Sequence, residues 1–434
     1  MLLKFLNRKR DFFLKIYSFL PLYLQVNIKI FYRKYILNSV YKNLQNNLLN
    51  TQARKEKKSS IYRANMNYKP GVNLIGFPSQ EFGLGQHLKY VAMAFSAANI
   101  PCNFFDCSYL FMSDYSEKIS QEKLIYNTNI FVCNGDAIAK LYMDLGEEFF
   151  SNRYNIHYGA WELRKYPNEW IPTLSLVDEY WAMSSFLQKS VSDIATIPVV
   201  HMPYPIDFKQ PNKYSRKHFN LPDDKFLFIF TFDMSSVMER KNPKAVIESF
   251  FKAFPKEEGV GLVIKIMSRK DVISQEIELK NLITKIKLDK KIFIIDETLA
   301  RDKMLDLIGV CDAYVSLHRA EGFGIGMAEA MKMQKPVIAT DYSGNTDFTL
   351  RDNSCLVNYK LIPLKPLEYI YEEGKVWADP SVDEAAFYMK KLFEDQKYRK
   401  DLAQKAKEFI DENFNSNFIK EKYISRLKIL GIFE

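Results

Sequence analysis

Short apolar runs alternate along most of this chain with polar turns and with longer stretches whose apolar positions recur every three to four residues, the pattern of strands followed by helices. The first half predicts strands at 71–76, 102–105, 129–133, 155–158 and 177–183. A glycine-bearing loop, 77–85, leads from the first of these into a helix over 86–97. In the second half the run KFLFIFTF at 225–232 is apolar without interruption, as in a parallel strand buried on both faces. Further strands are predicted at 262–266 and 292–295, with helices over 245–254 and 303–310. A strand at 313–317 then breaks at Gly322, Gly324 and Gly326. A helix over 327–333 follows, Lys335-Pro336 stops it, and a second strand runs over 337–339. Helices over 382–394, 398–414 and 417–430 close the chain. Regular alternation of this kind predicts an α/β fold with parallel sheets.

A chain of 434 residues is too long for a single core. Pro203 and Pro205 stiffen a natural connection, so we divide the chain into an N-terminal arm and linker (1–68), a first domain (69–207), a second domain (208–415) and a final helix (416–434).

The unit around Gly322 has a specific chemistry. A helix that starts just above a strand end directs its free N–H groups and positive dipole end toward an anion, and glycines let the backbone approach it. Glu321 lies in this loop and Glu329 follows after seven intervening residues. Carboxylates there repel phosphate but accept hydrogen bonds from the vicinal hydroxyls of a ribose or hexose. The combination points to a sugar nucleotide.

Glu321-Gly322-Phe323-Gly324 with Glu329 resembles the E-x7-E signature of the retaining GT-B glycosyltransferases of family four, also called group 1. The resemblance covers about 70–434. It implies two Rossmann-like doubly wound domains facing across a cleft, with the nucleotide sugar on the second domain and the acceptor on the first. It further implies that Glu321 faces the donor sugar and diphosphate and that Glu329 holds the ribose. Gly83 and Gly85 are similar to the family's amino-terminal glycine loop beside the donor phosphates. Asn345, in the turn 342–347, joins Gly322, Phe323, Gly324 and Glu329 as a donor-binding candidate. In the family an Arg and a Lys after the first strand of the second domain bind the leaving diphosphate. Lys241 matches the Lys, whereas Asp233 stands near the usual Arg position and Arg240 is its substitute. The stretch IHYGAWELRKYPNEW at 156–170 resembles one branch of the family, with Trp161-Glu162-Leu163 where many members present a histidine. Glu162 is the candidate contact to acceptor or sugar there.

The implied reaction is metal-independent transfer of a hexosyl group from a nucleotide diphosphate sugar to a hydroxyl of a glycan or lipid-linked acceptor, with retention and front-face attack, in bacterial cell-surface polysaccharide synthesis. The chain has no Asp-x-Asp, which agrees with a GT-B enzyme needing no cofactor. A non-catalytic partner that keeps the fold and a glycan phosphorylase are the alternative readings.

Charge separates the arm from the rest. Residues 1–69 carry 15 Lys or Arg against Asp11 and Glu56, a net of +13 in a chain whose total is +9, so the remainder sums to about −4. Aromatic and aliphatic residues interleave with these bases at helical spacing, broken at Pro21. That is the pattern of a basic amphipathic helical arm, which can lie on an anionic membrane surface through residues 1–60, the alternatives being a helix packed on the protein's own domain or an oligomer contact. We therefore expect a cytoplasmic protein, peripheral on the inner face of the membrane. No other feature matches a nucleic-acid module. The five cysteines are widely spaced and read as reduced, and the five histidines form no metal-ligand motif.

Overall fold

The computed structural model describes residues 68–79, 83–108, 124–233, 237–267, 289–366 and 368–432. The basic arm, up to residue 67, lies outside them. The first domain comprises β1 (Lys69–Gly76), α1 (Gly83–Ala97), β2 (Cys102–Asp106), β3 (Tyr126–Phe131), α2 (Gly135–Leu145), β4 (Tyr154–His157), β5 (Glu179–Ala182), α3 (Ser185–Ser192) and β6 (Val199–His201). Its six strands are all parallel, in the order β2-β1-β3-β4-β5-β6.

The second domain repeats the plan with β7 (Phe226–Asp233), a helical turn α4 (Met238–Lys241), α5 (Pro243–Ala253), β8 (Val260–Met267), β9 (Ile292–Asp296), α6 (Arg301–Val310), β10 (Ala313–Ser316), α7 (Ile325–Lys332), β11 (Val337–Thr340) and β12 (Cys355–Val357). These strands form a parallel sheet ordered β12-β11-β10-β7-β8-β9. An antiparallel hairpin, β13 (Tyr359–Pro363) with β14 (Val376–Pro380), follows it. Then come α8 (Val382–Glu394), α9 (Gln396–Asn413) and α10 (Ser416–Ile429). Strand order reverses between β1 and β3 and again between β7 and β10, and in open parallel sheets the crevice beyond such strand ends is where ligands bind.

Central strands hold Leu74, Ile130, Ile156, Phe228, Val263 and Val315 fully out of solvent, as the uninterrupted apolar runs require. A polar seam crosses the first sheet within this core. Asn73 donates to Asn129 (2.9 Å) and Asn129 to Asn155 (3.0 Å), so the three buried amides satisfy one another. Several helices begin where their sequence signals place them. Ser381, Asp395 and Asn415 each accept a hydrogen bond from the first turn of α8, α9 and α10 respectively.

Two differences from expectation bear on the site. Gly83 and Gly85 belong to the first turn of α1 and not to the loop before it. Arg240 and Lys241 sit on α4, closed by Asn242 in the left-handed region (φ 56°), and not in an irregular loop.

The described backbone passes between the domains twice. Residues 202–215 lead from β6 into the second domain, and the segment from α9 into α10 leads back. These two crossings are joined: the Ile206 N–H donates to the Phe414 carbonyl (2.7 Å) and the Ser416 N–H to Asp207 (3.3 Å). Having returned, α10 packs on the first domain. Its Tyr423 meets Phe95 and Trp181 edge-on, and Arg426 pairs with the fully buried Glu179 at the start of β5.

Candidate active site between the domains

The C-terminal ends of β4, β5, β7 and β10 meet where the two domains touch. The loop after β10 forms the floor of this region. Its shape depends on Gly324, whose φ of 101° suits glycine and which caps α7, and on Gly344. A Cβ on Gly344 would lie 2.1 Å from the Gly322 carbonyl oxygen, so the 342–347 turn can press on the Glu321 loop only through a glycine. The Gly344 N–H in turn donates to the Glu321 carbonyl (2.9 Å), and the Ser343 hydroxyl accepts from the Glu321 N–H (2.8 Å).

Four of the expected side chains converge above this floor. The Glu321 carboxylate is buried and pairs with Lys241 through one oxygen and with Arg240 through the other (3.3 Å). Burial alone would raise its pKa, but the adjacent Lys241 and Arg240 outweigh that and hold it at about 2, so it is ionised throughout the physiological range. Arg240 is itself only 4% exposed. Its guanidinium donates to the Ala320 carbonyl (2.7 Å) and lies 3.8 Å from Glu162, which comes from the first domain. Glu162, Arg240, Glu321 and Lys241 thus form one chain of alternating charge across the domain junction. Lys241 is its most exposed cation.

Glu329 lies at a separate point on α7. It is 3% exposed, and its Oε1 accepts from Tyr90 of the first domain (2.9 Å) and pairs with Arg301 (2.6 Å). Gly322 touches the first domain directly. The Ser184 hydroxyl donates to its carbonyl (2.7 Å), and a Cβ there would lie 3.5 Å from the Trp161 carbonyl. Phe323 is buried against Tyr204 and Phe348 (ring centroids 4.7 and 5.0 Å) and so shapes the loop from beneath. Asn345 is fully buried. Its amide spans Thr340 and Thr349, and its oxygen meets a ring nitrogen of His318 (3.0 Å), so its hydrogen-bonding capacity supports the turn. Gly83 and Gly85 lie at the head of α1, where a Cβ on Gly83 would meet nothing within 4 Å.

Several contributors escaped the sequence reading. His318, between β10 and the Glu321 loop, is buried neutral beneath it, because burial lowers its pKa. A lone histidine gives no signal beyond its place at a strand end. Tyr90, Arg301 and Tyr369 reach the site from distant segments. Among the described residues no group of three or more His, Cys, Asp or Glu is placed to hold a metal ion, and no helix is long and apolar enough to cross a membrane.

Residues 213–409 match the family model of the group 1 glycosyl transferases. No curated protein matches the chain in sequence. Among solved structures, the chain is similar to the Anabaena protein HepE in complex with UDP and glucose: 13% identity, TM-score 0.60, 83% of this chain and 100% of that one covered. It is likewise similar to the sucrose-phosphate synthase of Thermosynechococcus elongatus, with 13% identity, a TM-score of 0.61 and coverage of 83% and 99%. A glycosyltransferase of Rickettsia africae gives 16%, 0.60, 84% and 99%. The fold is therefore GT-B, two Rossmann-like domains with a six-stranded parallel sheet each, and its second domain matches the group 1 glycosyl transferases.

Proposed function

We propose that this protein is a retaining glycosyltransferase that moves a hexosyl group from a nucleotide diphosphate sugar to a hydroxyl of a glycan or lipid-linked acceptor, in the synthesis of a bacterial cell-surface polysaccharide. The observation that carries this reading is the buried Glu321 carboxylate. It is held between Lys241 and Arg240 on a glycine-bent loop, at the end of a parallel strand in the domain that matches the group 1 glycosyl transferases. The UDP and glucose bound by HepE support a nucleotide sugar as donor.

In this reading the donor lies along the 317–324 loop. Its ribose hydroxyls bind Glu329, its sugar faces Glu321, and its diphosphate faces Lys241 and the N-terminus of α7. As the bond from the anomeric carbon to the diphosphate oxygen breaks, negative charge grows on the leaving group. A preorganised lysine and helix terminus stabilise that charge without having to reorient. Glu321 keeps Lys241 fixed while accepting from sugar hydroxyls. Glu162, on the first domain, accepts a hydrogen bond from the incoming hydroxyl, whose proton passes to the departing phosphate on the same face of the sugar. Retention follows from that shared face. The basic arm holds the protein against the anionic membrane that carries the acceptor.

Purified protein should slowly release UDP from UDP-glucose or from another nucleotide sugar of a small panel, and Glu321→Ala should abolish the release. Donor binding without turnover by the unaltered protein would instead identify a non-catalytic relative, and phosphate-dependent cleavage of a glycan a phosphorylase.

A further inference from the structure

Between β13 and β14 the second domain sends out an excursion, described over 364–366 and 368–375, that reaches across and grips the first. The hairpin is rooted beside the catalytic loop, where the Ala378 N–H donates to the Arg319 carbonyl (3.0 Å). Its outer segment then makes three polar contacts across the junction. The Tyr371 hydroxyl donates to Asp136 (2.7 Å), the Lys165 ammonium donates to the Gly374 carbonyl (3.2 Å), and the Tyr369 hydroxyl donates to Oε2 of Glu162 (2.5 Å). Aromatic faces back the tyrosines: Tyr369 lies 5.6 Å from Trp161 and Tyr371 5.9 Å from Trp170.

Of these contacts only one reaches a charged group of the site. Tyr369 is 7% exposed, so its hydroxyl needs a partner and its bond to a carboxylate is shielded from water. With Oε2 held by Tyr369, the other oxygen of Glu162 faces Arg240 at 3.8 Å, longer than a hydrogen bond. The Arg240 guanidinium also lies 6.0 Å from the Tyr369 ring. The tyrosine therefore sets the rotamer of Glu162 and lines the guanidinium that Glu162 and Glu321 share. Position 369 is 207 residues from Glu162 and belongs to the opposite domain, so the bond forms only when the domains are closed on each other.

We propose that Tyr369 is a positioning residue for the transfer reaction: it crosses from the second domain to hold the Glu162 carboxylate in the orientation in which one oxygen receives the acceptor and the other is fixed. This rests on the glycosyltransferase reading above and deepens it, because it makes the 364–375 excursion part of the acceptor side of the site. Losing a hydrogen bond to a charged group in the transition state slows turnover by about ten- to a hundredfold.

The test uses the full-length protein and the donor of the panel that it turns over fastest. Tyr369→Phe is expected to lower kcat by about ten- to a hundredfold while leaving the KM for donor within about twofold, since Glu162 is not a donor contact in this scheme. Combined with Glu162→Gln it should add little further loss, because both changes remove the same interaction. Tyr371→Phe breaks the neighbouring tie to Asp136 and should reduce thermal stability about as much as Tyr369→Phe while keeping kcat. An unchanged kcat in Tyr369→Phe overturns the proposal. Equal loss of kcat in Tyr371→Phe also overturns it, by showing that the excursion acts only as a clasp. If the unaltered protein turns over no donor, the glycosyltransferase reading fails and this one with it. If the unaltered protein is active and Tyr369→Phe matches it, only this one fails.

Discussion

Tyr90 on α1 of the first domain donates a hydrogen bond of 2.9 Å to Glu329 on α7 of the second, and the carboxylate oxygen that accepts it also pairs with Arg301. The side chain read as the ribose contact is thus engaged by the facing domain. A ribose hydroxyl that binds Glu329 must share or displace the tyrosine. Tyr90→Phe removes that competitor, and a hydrogen bond to a charged group is worth about 1.5–3 kcal/mol at most. UDP should then bind about three- to tenfold more tightly by calorimetry. An unchanged Kd would mean that the ribose does not meet Glu329.

Lys241 and Glu321 carry the chemistry in the proposed reaction. Removing a preorganised charge at a leaving group costs about a hundred- to a thousandfold in rate. Lys241→Ala and Glu321→Gln should each lower kcat by that order in the nucleotide-release assay, and Lys241→Arg should recover part of it. Because Lys241 holds the pKa of Glu321 near 2, Glu321 contributes stability that is complete above its ordinary value of 4.5 and is lost as pH falls toward 2. The stability gap between the unaltered protein and Glu321→Gln should close across that window in denaturant titrations.

Two other histidines set a different acid response. His87 is buried against Tyr158 and Tyr204 with neither ring nitrogen hydrogen-bonded, and burial lowers its pKa to about 3. His157 is lowered to about 4 by burial, against a hydrogen bond to Cys133. Each is neutral in the folded protein and takes up a proton on unfolding once the pH is below 6.5. The unfolded state then binds more protons, and stability falls by about 1.4 kcal/mol per pH unit for each histidine until its folded pKa is reached. His87→Phe should flatten the slope between pH 6.5 and 4. It sacrifices no hydrogen bond, so a stability equal to or above that of the unaltered protein at pH 5 is expected; a steeper slope would contradict the assignment.

Two glycines separate conformational need from chance. Gly344→Ala forces a Cβ against the Gly322 backbone and should destabilise the protein by about 1–3 kcal/mol, as overpacking does. Gly83→Ala meets open space in the first turn of α1 and should stabilise it by up to about 0.5 kcal/mol. Urea midpoints measure both.

The arm supplies the last prediction. With a net +13 over residues 1–69 and roughly 1 kcal/mol of attraction for each basic residue near an anionic surface, the full chain should sediment with vesicles containing phosphatidylserine. A chain lacking residues 1–60 should stay in the supernatant yet still release UDP. Loss of folding in the truncated chain would instead make the arm part of a domain.

What could be read from the sequence, and what could not, follows the range of the interactions. The strand, glycine loop and helix around Glu321 are local, so their spacing shows in the sequence; Lys241 lies 80 residues from Glu321, and only the family resemblance sets it and Arg240 beside that loop. The last helix also lies where its periodicity placed it. Tyr90 and Glu329 are 239 residues apart, and no local pattern announces a bond over that span. Tyr369 and Tyr371 stand among lysines and glutamates, with no strand or helix pattern to mark them. Asn345 was read as a donor contact because its turn faces the strand ends, but its amide faces inward and braces that turn. The Asn73, Asn129 and Asn155 seam shows the same limit within a sheet: an asparagine in an apolar run looks like an interruption until its neighbours on adjacent strands supply the partners.

The bond between Ile206 and Phe414 ties together the only two places where the described backbone changes domain. Two ligaments fastened side by side behave as one pivot, so separation of the lobes becomes rotation about that edge and not lateral sliding. Points close to the pivot then travel little, whereas the far rim swings widest. Entry of a ligand between the lobes would consequently be governed by whichever contacts lie farthest from residue 206, and a spectroscopic ruler fixed across that rim would read the pivot as a change in separation.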